Sequence, residues 1–313
     1  EDVLPGHQLM GPDGNPRNVL HLCRGEGEMF EVVPTKGEPF IVNGDHLLSL
    51  VRTNDGTGKA GEVVDVTVNE WISWSKTRKH IHKLFRTGVD FPAADLPIDP
   101  YVVGSLLGDG CLRKAVSMTS ADNEMMEPFI REGRRFGLSP REKFSGGGTR
   151  CVLMMGKQFD RTSNPMKEAL KDLGLWGTTS CNKFVPQAYK SSSRLQRLRL
   201  IAGLVDSDGH LSKSGIEFIS KSESLANDFA WLCRSVGLAA YVAEKESSGF
   251  GVSGIYFRVS VSGDTDVIPA KIPRKKPASR LQKKNVLRTS FTVRPVGRGK
   301  FYGVSVDGDN RYL

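Results

Sequence analysis

Val102-Val103-Gly104-Ser105-Leu106-Leu107-Gly108-Asp109-Gly110 has a counterpart later in the chain, Ile201-Ala202-Gly203-Leu204-Val205-Asp206-Ser207-Asp208-Gly209. Each is an apolar run that ends on an acid followed by glycine. A helix with apolar residues on every face must be buried. Asp99 before Pro100 is a start signal, since Asp caps free N–H groups and Pro fits the first turn. Gly110 and Gly209 are expected to take the left-handed conformation that ends a helix. The small residues Gly104, Ser105, Ala202 and Gly203 would let two such helices approach closely.

The elements that follow each run also repeat. After Asp109 come a strand-like stretch, Lys114 to Ser120, and an amphipathic helix, Glu124 to Phe136, closing at Gly137-Leu138. After Asp208 come Gly215 to Lys221 and a helix from Ser224 to Val236, closing at Gly237-Leu238. The acid and the closing glycine are 28 residues apart in the first copy and 29 in the second. Further strand candidates are Arg150–Met155 in the first copy and Ala240–Glu244 and Ile255–Val261 in the second. An αββαββα unit present twice fits both halves. Packing the copies about a pseudo-two-fold axis would bring Asp109 and Asp208 side by side. Two such carboxylates repel unless a cation lies between them. The helix ends add backbone carbonyls, at Gly108 and Ser207, as further hard oxygen ligands. Mg²⁺ takes carboxylates, phosphate oxygens and waters, so the pair suits phosphodiester hydrolysis.

The bulk numbers agree with a polyanionic partner. The 313 residues carry a net charge of +9, with basic clusters at Lys76–Arg86, Arg131–Arg135, Lys190–Arg199 and Lys271–Arg288. Mean hydropathy is −0.31 and the isoelectric point about 9.3. No apolar stretch reaches membrane-span length, so no membrane partner is expected. Five scattered cysteines without a Cys-x-x-Cys pair argue against a disulfide framework or structural zinc, and for a reducing intracellular compartment, cytoplasm or nucleus. His80 and His82 are the only close histidine pair and no His-Glu-x-x-His occurs, which removes the zinc hydrolases.

The flanks differ in character. Short strand-like runs (19–22, 29–33, 40–42, 47–51, 63–68) are broken by turn residues, and a proline-rich joint follows at Phe91 to Pro97. Strand-like alternation returns at 290–296 and 300–306. One β domain interrupted by another is the expected organisation, with a first part at 1–92, an inserted domain at 93–285 and a last part at 286–313. The inserted domain holds repeats at about 95–185 and 186–280.

The paired motifs resemble those of the LAGLIDADG homing endonucleases of the single-chain, two-motif type, over about residues 95 to 280. The resemblance implies a monomeric, pseudo-two-fold α+β enzyme that cuts both strands of double-stranded DNA at a long site. Its cofactor would be Mg²⁺, with Mn²⁺ or Ca²⁺ able to take its place. Asp109 and Asp208 would be catalytic metal ligands. Asp206 matches the less critical first acid of the motif, where the first copy has Leu107. The resemblance also implies one basic residue per half near the site: Lys183 in NKFVP, and Lys275 or Lys276 in KIPRKKP. It implies two sheet saddles along the DNA, with Lys143, Arg150, Lys245, Arg258 and Ser260 in the candidate strands or turns.

The flanks resemble the all-β Hint domain of inteins. Gly37 to Arg52 is similar to the block that carries the helping histidine, which places His46 in that role, although Asn43 stands where threonine is usual. Lys300 to Leu313 is similar to a carboxy-terminal block in which Asn310 stands at the place of a second histidine and Gly303 at that of an aspartate. Splicing out of host exteins would need a first-residue Cys or Ser and a terminal His-Asn. The chain as given runs from Glu1 to Leu313 and is not expected to splice. Two other readings stand beside the endonuclease. One is a degenerate intein or maturase-like module that binds nucleic acid without cleaving it, and the other a splicing element with a vestigial nuclease.

Overall fold

The computed structural model describes residues 2–56, 58–144, 149–156, 164–212, 215–249, 252–279, 281–282 and 284–312. The chain divides into two compact units, Glu1–Val89 with Lys284–Leu313, and Asp90–Lys283.

The first unit is built from strands. These are β1 (Gln8–Met10), β2 (Pro16–Pro34), β3 (Phe40–Asn43), β4 (Leu47–Arg52), β5 (Val63–Thr67) and β6 (His82–Phe85), joined on the chain's return by β15 (Arg288–Thr289) and β16 (Phe291–Val306). One sheet has the order β1-β2-β16 with β3 also on β2, and the other the order β15-β6-β4-β5. The expected short runs 19–22 and 29–33 are one strand, β2, and those at 290–296 and 300–306 are one strand, β16. Glycines that look like turns in the sequence sit inside this ribbon, which pairs from Phe291↔Pro34 to Val306↔Val19. The Phe301 ring covers Gly25, where an added Cβ would lie 2.7 Å from it; the glycine makes room for the aromatic. Pro295 falls where the register shifts, a bulge that needs no ladder donor.

Two short helices interrupt the β pattern, α1 (Val68–Ser73) and α2 (Lys76–Ile81). Their signals are local: Thr67 and Glu70 form a reciprocal capping box, and Ser75 caps the Arg78 N–H. Val32, Leu48, Leu50, Val66, Val68, Trp71 and Phe291 form the core of this unit. Trp71 stacks on Phe291 with ring centroids 4.6 Å apart, so the returning segment completes a core begun in the first part of the chain.

The second unit holds the repeat. Its first copy runs α3 (Pro100–Asp109), β7 (Gly110–Cys111), β8 (Ser117–Ser120), α4 (Asn123–Arg135), β9 (Ser139–Phe144), β10 (Arg150–Met155) and α5 (Pro165–Asp172). After α6 (Gln187–Lys190) the second copy runs α7 (Arg194–Asp208), β11 (Gly209–Ser212), β12 (Gly215–Ser220), α8 (Glu223–Ser235), β13 (Ala239–Gly249) and β14 (Val252–Ser262). The antiparallel sheets have matching orders, β7-β8-β10-β9 and β11-β12-β14-β13. One expected element differs: the second copy does not close on an α-helix. Among the described residues after β14 there are two 3-10 turns, Thr265–Val267 and Pro273–Lys275. Pro269, Pro273 and Pro277 remove the N–H donors a longer helix would need.

The amphipathic helices bury one face each, Met125, Met126 and Phe129 of α4 and Leu225, Phe229 and Leu232 of α8. Each such side chain contributes roughly 2 kcal/mol by leaving water. Both helices end alike. Gly137 and Gly237 have φ of 72° and 90°, and the next N–H reaches back, Leu138 to Gly133 and Leu238 to Cys233.

α3 and α7 are buried along nearly their whole length and cross at Gly104 and Gly203. A Cβ on Gly104 would enter the Leu200 carbonyl, and one on Gly203 the Tyr101 carbonyl. Gly110 and Gly209 correct the expectation of a left-handed end, since both are extended, with φ of −86° and −80°. Their side-chain hydrogen is required for space instead: a Cβ would lie 2.5 Å from the Leu106 carbonyl or 2.6 Å from that of Val205. Among the described residues no helix is long and apolar enough to cross a membrane.

Candidate active site and nucleic-acid interface

Asp109 and Asp208 are the last residues of α3 and α7. The Asp208 carboxylate lies against Gly108, where an added Cβ would be 3.1 Å from Oδ2, so the two acids occupy the same end of the helix pair. Both side chains are exposed to solvent at the surface end of the helix pair. Burial raises the Asp109 carboxyl above its ordinary value, against the pull of Lys275 and Lys183. Burial and then the charge of Asp109 push Asp208 up to about 6.

One lysine serves each helix end. Lys183, only 6% exposed, donates its ammonium to the carbonyls of Leu106 (3.0 Å), Gly108 (3.0 Å) and Gly110 (3.1 Å). Lys275 donates to the backbone carbonyls of Asp206 and Ser207, both at 2.7 Å. Cations are favoured there because the last carbonyls of a helix are unpaired and carry its negative end. Burial lowers both lysine pKa values, and the nearby aspartates counter it. Lys276 does not join them. It is exposed and lines an open groove with Glu124, Glu127, Arg131 and Lys271.

Asp206, two residues before Asp208, is only 1% exposed. It accepts the Tyr101 hydroxyl at 2.7 Å and the backbone N–H groups of Lys271 and Ile272 at 2.7 and 3.3 Å. The first copy's Leu107 is simply core. Asp206 therefore ties α3, α7 and the segment leading to Lys275 together, a role that its motif position alone did not disclose.

Directly opposed residues of antiparallel strands share a face. Lys245, Arg258 and Ser260 lie on one face of the second sheet with Tyr241 and Tyr256, opposite the face of Val259 and Phe218 that packs on α8. Lys143 takes the corresponding face of the first sheet, opposite Cys151. Arg150 does not. It shares the helix-side face with Val152, pairs with Glu142 at 2.5 Å and donates to Asn123. Strand alternation, once the register is known, adds Arg141 and Tyr241 to the open faces.

Two further placements concern the first unit. His46 lies in the turn between β3 and β4, half-buried, its N–H donating to Asn43, and burial lowers its pKa. Asn310 is exposed with φ of 60°, and its side-chain oxygen accepts the Val306 N–H at 3.0 Å, which closes the turn after β16. Leu313 lies outside the described residues. In the second unit, Cys111 follows the first motif directly. Backbone N–H groups of Arg113, Lys114 and Ala115 hold its thiol pKa down.

The repeated helix ends, the sheets in matching order and the acids set beside lysines now stand together. Residues 195–266 match the LAGLIDADG-like domain family. This LAGLIDADG-like segment contains α7 and its two acids, α8 and the second sheet with Lys245, Arg258 and Ser260. A curated protein of Mycobacterium intracellulare, the replicative DNA helicase DnaB, is 26% identical over 272 residues. That covers 79% of this chain and 41% of the helicase, so the chain spans less than half the length of this relative. Solved structures of the homing endonuclease I-DmoI are also similar. One of its mesophilic variants is 12% identical, covering 52% of this chain and 82% of that one, with a TM-score of 0.36. The complex of I-DmoI with DNA and Mn is 10% identical, covering 52% and 88%, with a TM-score of 0.38.

Proposed function

We propose that this chain is a site-specific DNA endonuclease, with a metal-dependent double-strand cut made at the shared end of α3 and α7. The observation that carries the reading is the pair Asp109 and Asp208, each at the end of one packed helix with its own lysine, Lys183 or Lys275, on the adjoining carbonyls.

The donor set fits a hard divalent cation. Among the described residues no group of three or more His, Cys, Asp or Glu side chains could hold a metal. The side-chain ligands would be Asp109 and Asp208. The carbonyls of Gly108 and Ser207 keep one lone pair each beside their lysine bond, and waters and phosphate oxygens would complete the shell. When bound, Mg²⁺ would neutralise the phosphodiester charge and supply an activated water. The chain's own contribution is to hold two acids at one point, to keep them ionised with Lys183 and Lys275, and to orient both lysines by helix-end carbonyls.

DNA would lie across the open sheet faces. The second unit carries 28 of the 44 Lys and Arg residues against 21 of the 35 acids, which leaves it +7 of the net +9. Phosphate contacts would give salt-dependent affinity, and Lys143, Lys245, Arg258 and Ser260 would read base edges. The reading extends to the first unit, which we take as the Hint domain of an intein, with His46 as its helping histidine. A relative named as a helicase, matched over 41% of its length, supports an origin inside the gene of a replicative helicase.

The test is a plasmid carrying that helicase gene without the inserted segment, incubated with the folded protein and Mg²⁺. A double-strand cut is expected at the insertion point. Asp109→Asn and Asp208→Asn should each lower it on the order of a thousandfold while DNA binding persists. Binding without any cut by the unaltered protein would favour the alternative, a module that binds nucleic acid and does not cleave.

A further inference from the structure

The segments that carry the two lysines are anchored crosswise. Lys183 follows the first repeat and grips the end of α3 in that repeat. Yet its own carbonyl accepts the Ser222 hydroxyl at 2.6 Å, and Ser222 is the N-cap of α8 in the second repeat. The neighbouring Val185 N–H goes to Asp228 of α8 at 2.8 Å. Lys275 follows the second repeat and grips the end of α7. Its neighbour Arg274 makes a two-armed ion pair with Asp122, the N-cap of α4 in the first repeat.

Asp122 and Ser222 are equivalent positions. Each N–H donates to a serine two residues earlier, Ser120 at 3.1 Å and Ser220 at 3.0 Å. Ser222 still caps its helix through Leu225, but Asp122 makes no side-chain cap bond and gives both oxygens to Arg274. An Asp at an N-cap would ordinarily hold the first-turn N–H groups. Here that bond is replaced by one to the opposite segment.

We propose that Asp122 with Arg274, and Ser222 with the Lys183 carbonyl, are reciprocal positioning contacts that fix each repeat's lysine by way of the other repeat. Loosening one releases one lysine only, so the two strand cuts become unequal. The strand consequence rests on the endonuclease reading above; the anchoring does not.

Two measurements separate them. Amine-reactive labelling of the DNA-free protein, read residue by residue by mass spectrometry, should show Lys275 labelled about tenfold faster in Arg274→Ala and Lys183 unchanged. Arg274→Lys should fall between, because a lysine cannot reproduce a two-armed pair. Ser222→Ala should expose Lys183 and spare Lys275. Arg274 is largely exposed, so its variants should fold even if Ser222→Ala, at a buried site, does not. Unchanged Lys275 labelling in Arg274→Ala would overturn the proposal whatever the protein does to DNA. On supercoiled target plasmid, Arg274→Ala should accumulate nicked circles, one strand slowed about tenfold relative to the other, since small misplacements of a reacting group cost rates of that order or more. Ser222→Ala should leave the opposite strand intact. Equal slowing of both strands would overturn the crosswise assignment. Labelling as expected, with no cut by the unaltered protein, would instead overturn the endonuclease reading and leave the anchoring in place.

Discussion

Asp206 accepts the Tyr101 hydroxyl at 2.7 Å across the buried seam between α7 and α3. Three donors converge on this one carboxylate, because the N–H groups of Lys271 and Ile272 end there too. Asp206→Ala would leave all three without an acceptor. Each buried donor left unpaired costs about 1–3 kcal/mol, so a loss of about 3 kcal/mol or more is expected in urea unfolding. Tyr101→Phe removes one donor and should cost about 1 kcal/mol. A double variant close to Asp206→Ala alone would show that the two share one interaction. If Asp206→Ala cost less than Tyr101→Phe, the seam would not depend on this carboxylate.

The crossing of α3 and α7 depends on two glycines that face backbone, not side chains. A Cβ at Gly203 would also lie 2.8 Å from the Ser105 amide nitrogen, and one at Gly104 3.0 Å from that of Leu204. Backbone atoms in a buried helix cannot rotate aside, so the helices would have to part. Gly104→Ala and Gly203→Ala should each destabilise by about 3 kcal/mol, at the upper end of overpacking costs, although alanine is the better helix former. Chemical denaturation of each variant measures this. A neutral result at either position would mean that the pair can open without penalty.

The placement of the sheet residues separates Arg258 from Arg150. Arg258→Ala, on the open face, should weaken DNA binding and reduce the slope of log affinity against log salt by about 1 if it contacts a phosphate. Arg150→Ala loses its bonds to Glu142 and Asn123 and should affect folding more than DNA affinity. Fluorescence anisotropy across a salt series distinguishes the two. Equal loss of affinity from both would place Arg150 on the DNA side after all.

Much of this was legible in the sequence because a repeat is self-checking. Two acid-glycine helix ends at matching distances from Gly137 and Gly237 define α3, α4, α7 and α8, and the small residues mark where the helices cross. Choosing between Lys275 and Lys276 was not possible, since adjacent lysines differ only in which way a turn points them. Arg150 differs from the other strand residues for a reason its position in the sequence does not show. A basic residue at a strand's start resembles a surface residue until pairing shows that it shares a face with Val152. The long ribbon of β2 and β16 is hidden by its glycines, which resemble turn residues, although Gly25 makes room for the Phe301 ring across the strand and Gly297 sits at the register shift. Nothing local could reveal the partnership of Asp122 with Arg274, 152 residues apart in the chain.

His46 offers a test by pH in the first unit. Burial holds its pKa below the ordinary 6.5, so the folded protein binds this proton less readily than the unfolded chain does. Above about 6.5 the ring is neutral in both states and its contribution is at its full value. As pH falls through 6.5 toward the folded value, only the unfolded state takes up the proton and stability falls; below the folded value the loss is complete. The stability difference between the protein and His46→Gln, which cannot titrate, should therefore change between pH 7 and pH 5 to the disadvantage of the histidine form. The ring proton signal of His46 should titrate with a midpoint below 6.5. A midpoint at or above 6.5, or a difference constant across that window, would show that the turn between β3 and β4 does not shelter the imidazole.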